Sequence, residues 1–355
     1  MRITGISFDH MHMGDLLRQV HDHPDAEIAG IFDPDPARME QAIHSLNIPP
    51  DRVFTDLDAC MAATRPDLTI LCAATADHAS YTERLAAYGT NLFVEKPFAA
   101  SAADARRMIA AMKSTGKMLA INWPLAWVPA HVTAKRLIDQ GLIGTLREVH
   151  FYDGNRGPLY HLAGKVEVTE AQVQAQKPTS WWYKRASGGG SLLDYLGYGA
   201  TLGTWYMNGR APLEITCTTD DTTGLEVDQH SITVLRYDSG LSRMETRWGT
   251  FTDPWTIQPL PKCGFVFIGS DGTIESQDYA GFVTVQTRAN PAPHQIAVDD
   301  LPPGRRNGIE YVLHCIATNT PIAGPLDPDL GLVAQRIVDT AARSAREKRT
   351  LPLDA

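Results

Sequence analysis

Short apolar runs alternate with amphipathic stretches through the first third of the chain, and this alternation restricts the fold more than any other feature. Ile3 to Phe8, Ile28 to Phe32, Leu68 to Ala73, Leu92 to Val94 and Met118 to Asn122 read as buried strands. Met13 to His21, Pro36 to Leu46, His78 to Tyr88 and Ala102 to Ser114 read as helices between them. Leu16, Leu17 and Val20 share one helix face, and Pro36 suits a first-turn position. Strands that alternate with helices in this way predict a doubly wound parallel sheet.

Past Asn122 the pattern changes. Pro129 to Gln140 predicts a helix stopped by Gly141. Strand signals then dominate: Leu146 to Tyr152, Leu213 to Thr218, His230 to Tyr237, Arg243 to Trp248, Gly264 to Ile268 and Phe282 to Gln286. One helix, Leu192 to Met207, interrupts them, and two more close the chain at Gly308 to Thr318 and Asp329 to Lys348. The expected division is therefore a dinucleotide-type domain over residues 1–122 and an α+β domain over residues 123–355. The second domain is expected to hold a large, mostly antiparallel sheet with one open face. Tyr160 to Ser180 lacks a clear period and reads as a loop over the active site.

The length of 355 residues suffices for two domains with cores of their own. A formal net charge of -9 argues against nucleic acid or an anionic membrane as partner. No apolar run reaches about 18 residues, so no membrane span is expected. Met1-Arg2-Ile3-Thr4-Gly5-Ile6 runs straight into a strand pattern and lacks the regions of a signal peptide. Cys60, Cys72, Cys217, Cys263 and Cys315 are scattered, with no Cys-x-x-Cys pair. They read as reduced buried thiols of a cytoplasmic protein.

Two short stretches carry the chemistry. Glu95-Lys96-Pro97 follows the strand Asn91-Leu92-Phe93-Val94, so Lys96 stands where open α/β sheets bind ligands. Gly188-Gly189-Gly190-Ser191-Leu192-Leu193-Asp194-Tyr195-Leu196-Gly197-Tyr198 is a glycine run that leads into a helix. Asp194 and Tyr198, four residues apart, share one face of it. A lysine, a carboxylate and a phenol in one cleft can relay a proton, as oxidation of an alcohol to a ketone requires.

At these residues the chain resembles the Gfo/Idh/MocA oxidoreductase family. Asp33 after the second strand, His78, Gly141-Leu142-Ile143-Gly144 and Ile268-Gly269-Ser270-Asp271-Gly272-Thr273-Ile274 fit the resemblance, which runs nearly full length. It implies a Rossmann domain followed by a substrate domain, with NAD as cofactor. Tyr198 stands where many members carry a catalytic histidine. Tyrosine is a known variant there, as in the glucose–fructose oxidoreductase, dihydrodiol dehydrogenase and xylose dehydrogenase branches. The expected catalytic set is Lys96, Asp194 and Tyr198. A phenol has a reference pKa near 10, and a neighbouring lysine ammonium would favour the phenolate as base.

The usual Gly-x-Gly-x-x-Gly after the first strand is absent. Ser7-Phe8-Asp9-His10-Met11-His12 stands in its place. A carboxylate at Asp9 would repel a pyrophosphate unless it is paired, and His10 and His12 could offset it by donating at the helix start. Asp9, His10 and His12 also offer metal ligands, but His-x-His alone is a weak signal and no metal is expected. Asp33 would accept the adenosine ribose hydroxyls and favour NAD over NADP, an exclusion softened by Arg38. It could equally open the turn into the next helix. The expected cofactor set is Ser7, Phe8, Asp9, His10, His12, Asp33, Ala73, Ala74, His78, Glu95, Lys96 and Asn122.

Trp181, Trp182, Tyr183, Lys184 and Arg185 precede the glycine run, and aromatics beside cations suit a sugar ring. With Trp123, Arg156 and Tyr160 they form the expected substrate wall, around Lys96, Asp194 and Tyr198. The expected function is NAD-dependent oxidation of a secondary hydroxyl of a sugar, polyol or related cyclic alcohol, or the reverse. Two alternatives stand beside it. One is an NAD-retaining enzyme that oxidises transiently in order to eliminate a glycosidic substituent. The other is a binding or regulatory module without cofactor. An open sheet face favours a homodimer or homotetramer.

Overall fold

A computed structural model describes residues 1–220 and 224–353. The first sheet is parallel and six-stranded: β1 (Arg2–Ile6), β2 (Glu27–Phe32), β3 (Val53–Phe54), β4 (Leu68–Leu71), β5 (Asn91–Glu95) and β6 (Leu119–Asn122). Their order is β3-β2-β1-β4-β5-β6, so the direction of winding reverses between β1 and β4. Helices α1 (His12–His21), α2 (Glu40–Leu46), α3 (Leu57–Thr64), α4 (His78–Ala86) and α5 (Ala102–Thr115) connect the strands. The sequence pattern missed β3 and α3. β3 is a two-residue, half-buried edge strand, too short to show a period.

Next come α6 (Pro129–Asp139), β7 (Leu146–Asn155), α7 (Glu170–Gln176) and α8 (Ser191–Tyr206). Strands β8 (Glu214–Thr219), β9 (His230–Arg236), β10 (Leu241–Trp248), β11 (Gly264–Gly269), β12 (Gly272–Gln277), β13 (Phe282–Thr287) and β14 (His294–Ala297) follow. Helices α9 (Gly308–Thr318) and α10 (Pro328–Glu347) precede a short β15 (Leu351–Pro352). The second sheet runs β14-β13-β12-β11-β7-β10-β9-β8-β15. It is antiparallel except where β10 pairs with β7. Its inner face buries Val149, Phe151, Met244, Phe265 and Phe267. Its outer face carries the exposed Arg236, Arg243 and Arg247. The segment read as an open loop contains α7, whose N-terminus is a Thr169–Gln172 capping box.

α8 runs between the second sheet and α10, buried along nearly its whole length. Close approach needs small residues on it. A Cβ on Gly197 would lie 2.6 Å from Trp123 Cη2. α10 reaches back to the first domain, where Gln335 Oε1 accepts from the Ala99 amide at 3.3 Å and Asp339 from the Ala102 amide at 2.7 Å. These bonds fix the chain just after the Lys96–Pro97 peptide, which is cis. Among the described residues no helix is long and apolar enough to cross a membrane. All five cysteines are free and buried.

Gly197→Ala should lower stability by about 1–3 kcal/mol through overpacking against Trp123. Thermal unfolding of the two proteins checks this. An unchanged midpoint would show that Trp123 yields without strain.

Candidate active site

β5 ends by delivering Lys96 into the cleft between the domains, and α8 delivers Asp194 to meet it. The Lys96 ammonium donates to Asp194 Oδ1, with both residues only 4 % exposed. The second oxygen, Oδ2, accepts from Trp248 Nε1 at 3.1 Å. The rings of Trp182, Tyr198 and Tyr195 stand 5.4, 5.5 and 5.9 Å from the ammonium. Such faces attract a cation while keeping water away. The cavity is further lined by His10, His12, Asp153, His161, Asp278 and Tyr279.

Tyr198 meets Lys96 through its ring. Burial, then the charges of Glu95, Asp194 and Asp153, raise its phenol well above the ordinary range. The phenolate expected from a neighbouring lysine is therefore disfavoured, because Asp194 takes the ammonium's charge. Asp153 is likewise raised well above the ordinary carboxylate value, by burial first and then by Asp278 and Asp194. Asp278 pairs instead with His131 Nε2 at 2.7 Å. Burial and the nearby Lys165 push His161 down to about 2, so it lines the cavity as neutral imidazole. Asp153, Asp278 and His161 had no signal in the sequence, since a lone polar residue within a strand (Asp153), just past one (Asp278) or in a connection (His161) looks like a solvated position.

The loop after β1 has its own internal chemistry. Ser7 takes the left-handed conformation, φ 64°, that a glycine usually supplies. The Asp9 carboxylate accepts from Ser7 Oγ at 2.9 Å, from the Ala74 amide at 3.2 Å and from Arg38. It is thus paired, an internal anion on donors that an external one could use. Asp33 is fully buried, and its carboxylate accepts from the Phe8 amide at 2.7 Å and the Asp35 amide at 2.9 Å. It braces the loop as well as opening the following turn. His78 bridges the Ala73 and Phe98 carbonyls at 3.0 and 3.1 Å, tying together the chain after β4 and after β5. Glu95 accepts from Asn122 Nδ2 at 2.6 Å and faces His12 Nδ1 at 2.9 Å. Burial would raise Glu95, but His12, Lys96 and Asn122 outweigh it and hold it below the ordinary value.

The structure divides the expected substrate wall. Trp182 lines the cavity, stacked on Trp181 at 3.8 Å. Trp181 itself donates to the Asp9 carbonyl at 2.9 Å, and so belongs to the loop. Trp123 lies behind Tyr198, edge-on at 5.2 Å. Arg156 is held by Asp253 and Glu167, with Tyr160 beneath it bonded to Glu170. Lys184 is turned outward toward Glu226 at 3.5 Å. None of Arg156, Tyr160 and Lys184 lines the cavity, because each has found a carboxylate elsewhere. The segment carrying Tyr160 does cross to the first domain, where the Gly164 amide donates to Asp15 of α1 at 2.7 Å.

Residues 5–123 match the oxidoreductase family with an NAD-binding Rossmann fold, and residues 131–275 match the GFO/IDH/MocA C-terminal domain. The chain belongs to the Gfo/Idh/MocA family. It is 24% identical to inositol 2-dehydrogenase of Rhizobium meliloti over 95% of this chain and 94% of that one. It is 32% identical to D-apiose dehydrogenase of Paraburkholderia graminis, over 34% of this chain and only 32% of that protein's length. Aldose-aldose oxidoreductase from Caulobacter crescentus, solved with glycerol, superposes with a TM-score of 0.77 at 22% identity, covering 99% of each chain. An Agrobacterium radiobacter oxidoreductase solved with NAD+, L-tartaric acid and magnesium gives 0.77 at 18% identity, over 99% of this chain and 98% of that one. At these identities the two structures speak for the fold.

The residues fit the family's NAD. The left-handed Ser7, the Ala74 amide and Arg38 are a donor set for an anion, already satisfied by one. Asp9→Gly frees those donors and should tighten NADH binding in a fluorescence titration. Weaker binding would show that the Asp9–Arg38 pair is needed to hold the loop.

Proposed function

We propose that the protein is an NAD-dependent dehydrogenase that oxidises a secondary hydroxyl of a sugar, polyol or related cyclic alcohol to a ketone. The observation that carries this reading is the enclosed Lys96–Asp194 pair at the end of β5, under the rings of Trp182 and Tyr198. Ser7, Phe8, Ala74 and Arg38 would hold NAD, which would supply the hydride acceptor for the carbinol carbon. The substrate hydroxyl lies against Lys96, whose charge favours the developing alkoxide. Its proton passes to the Asp194 carboxylate, which the lysine orients. The Tyr198 phenol, kept protonated by burial, donates to the same oxygen. Aromatic faces and several buried polar groups in one cavity suit a ring bearing hydroxyls.

Asp153, which lines the cavity and whose neutral acid form burial favours, supports a second reading on the same scaffold. A carboxylic acid in the cavity can protonate a leaving glycosidic oxygen after transient oxidation at a neighbouring carbon. The two readings differ in net redox.

A panel of sugars, polyols and glycosides incubated with enzyme and NAD decides between them. Net NADH formation supports the dehydrogenase, and release of an aglycone without NADH supports the second reading. Neither outcome with any compound would remove both. Lys96→Met should lower turnover by at least the 10²–10⁴-fold typical of an acid–base group.

Tyr198→Phe should lower kcat within about the same range and leave the limbs of the pH–rate profile in place. The sign follows from the raised phenol, which stays protonated through the neutral range and contributes no limb there. The groups facing it are Lys96 and Glu95 from the first domain, Asp194 and Tyr195 on α8, Asp153 on β7, and Tyr279 just past β12. Loss of an ascending limb in Tyr198→Phe would instead make the phenolate the base.

A further inference from the structure

His12 stands at the last glycine position of the missing Gly-x-Gly-x-x-Gly, with His10 two residues before it, and the dehydrogenase reading uses neither imidazole. Both rings turn toward one oxygen of Glu95. His12 Nδ1 is 2.9 Å from Glu95 Oε1 and His10 Nε2 is 4.0 Å from it. The three ligand atoms all lie within 4.8 Å of one another. Ligand atoms about 2.0–2.2 Å from a zinc-class ion sit roughly 3.3–3.6 Å apart in a tetrahedron. Closing the triangle onto an ion therefore needs shifts on the order of 1 Å.

A second observation points the same way. His10 is 2 % exposed, and its Nε2 is buried with no hydrogen-bond partner. An orphaned polar atom of this kind calls for a group that the protein itself does not supply. Glu95 is also supported as a metal carboxylate usually is, with its other oxygen held by Asn122 at 2.6 Å.

We propose that His10 Nε2, His12 Nδ1 and Glu95 Oε1 form a three-ligand site for a divalent transition-metal ion of the zinc class. The ion replaces the proton shared by His12 and Glu95. His10 Nδ1 accepts from the His12 amide at 3.2 Å, so binding moves the ring proton to Nδ1 and exchanges that long contact for a metal bond. Three protein ligands leave at least one position open, as in metal sites that act on a substrate. His10 and His12 line the same cavity as Lys96, Asp194 and Tyr198, so that position would open onto it. It would take a hydroxyl or keto oxygen of the compound bound there. The inference is separate from the dehydrogenase reading and stands or falls on metal binding alone.

The test is a Co2+ titration of chelator-stripped, full-length protein, followed by visible absorption, with Zn2+ as competitor. Wild type should show d–d bands that saturate at one equivalent and vanish on addition of Zn2+. His10→Asn and Glu95→Gln should each weaken Co2+ binding at least tenfold, and Zn2+ should raise the unfolding temperature of wild type but not of His10→Asn. His10→Asn removes an unpartnered nitrogen, so its fold should survive, and circular dichroism checks this. Absence of saturating bands in wild type overturns the proposal. So do bands that persist in both variants, since the ion then sits elsewhere. NADH titrations run in parallel keep the two ideas apart. Intact NADH binding without Co2+ bands sinks only the metal site.

Discussion

The ion pair between Lys96 and Asp194 is the contact on which the rest of the cleft depends. Removing both charges from water costs several kcal/mol per ion, recovered only with good geometry and further hydrogen bonds. The structure supplies a hydrogen bond from Trp248 Nε1 to Asp194 and three aromatic faces around the ammonium. The pair also joins the two domains, since Lys96 follows β5 and Asp194 lies on α8. Its geometry therefore relies on everything that positions α8: the close approach at Gly197, the second sheet beneath, and α10 tied back to Ala99 and Ala102. It also sets the state of its neighbours. A charge satisfied by Asp194 is not available to stabilise a phenolate, and the Asp194 carboxylate adds to burial in raising Asp153.

The loop after β1 solves a different electrostatic problem. A glycine loop leaves backbone donors free for an anion, whereas here the Asp9 carboxylate already sits on Arg38 and the Ala74 amide. Binding a dinucleotide is thus an exchange of one anion for another. The second domain takes part through Trp181, which donates to the Asp9 carbonyl, and through Gly164 on Asp15. Cofactor loop and substrate cavity are in this way parts of one packed unit, with the stacked Trp181 and Trp182 between them.

Long elements with a clear period were legible in the sequence. The five long strands of the first sheet, α8 and the two closing helices lie within a few residues of their expected bounds. β3, α3, α7, β12, β14 and β15 were not, because a short or half-buried element carries too few apolar positions to show a period. At the site, Lys96 and Asp194 were marked by their motifs, and the fold brings them into contact. Arg156, Tyr160 and Lys184 had the right chemistry for a sugar wall but are engaged by Asp253, Glu170 and Glu226. Composition cannot reveal a partner that lies far along the chain.

By itself the sequence determined the strand–helix alternation, the lysine at a strand end, the Asp194 and Tyr198 face and the missing glycines. All of these are set by neighbours within a few residues, where backbone periodicity and local sterics act. Only the tertiary structure decided which charges meet. It turned Asp33 inward onto the Phe8 amide, buried Asp153 and Tyr198 so that both are raised, and set Glu95 beside His10 and His12. Ionisation and ligation depend on distance and water access through space, and neither is defined until the two domains close over the same cavity.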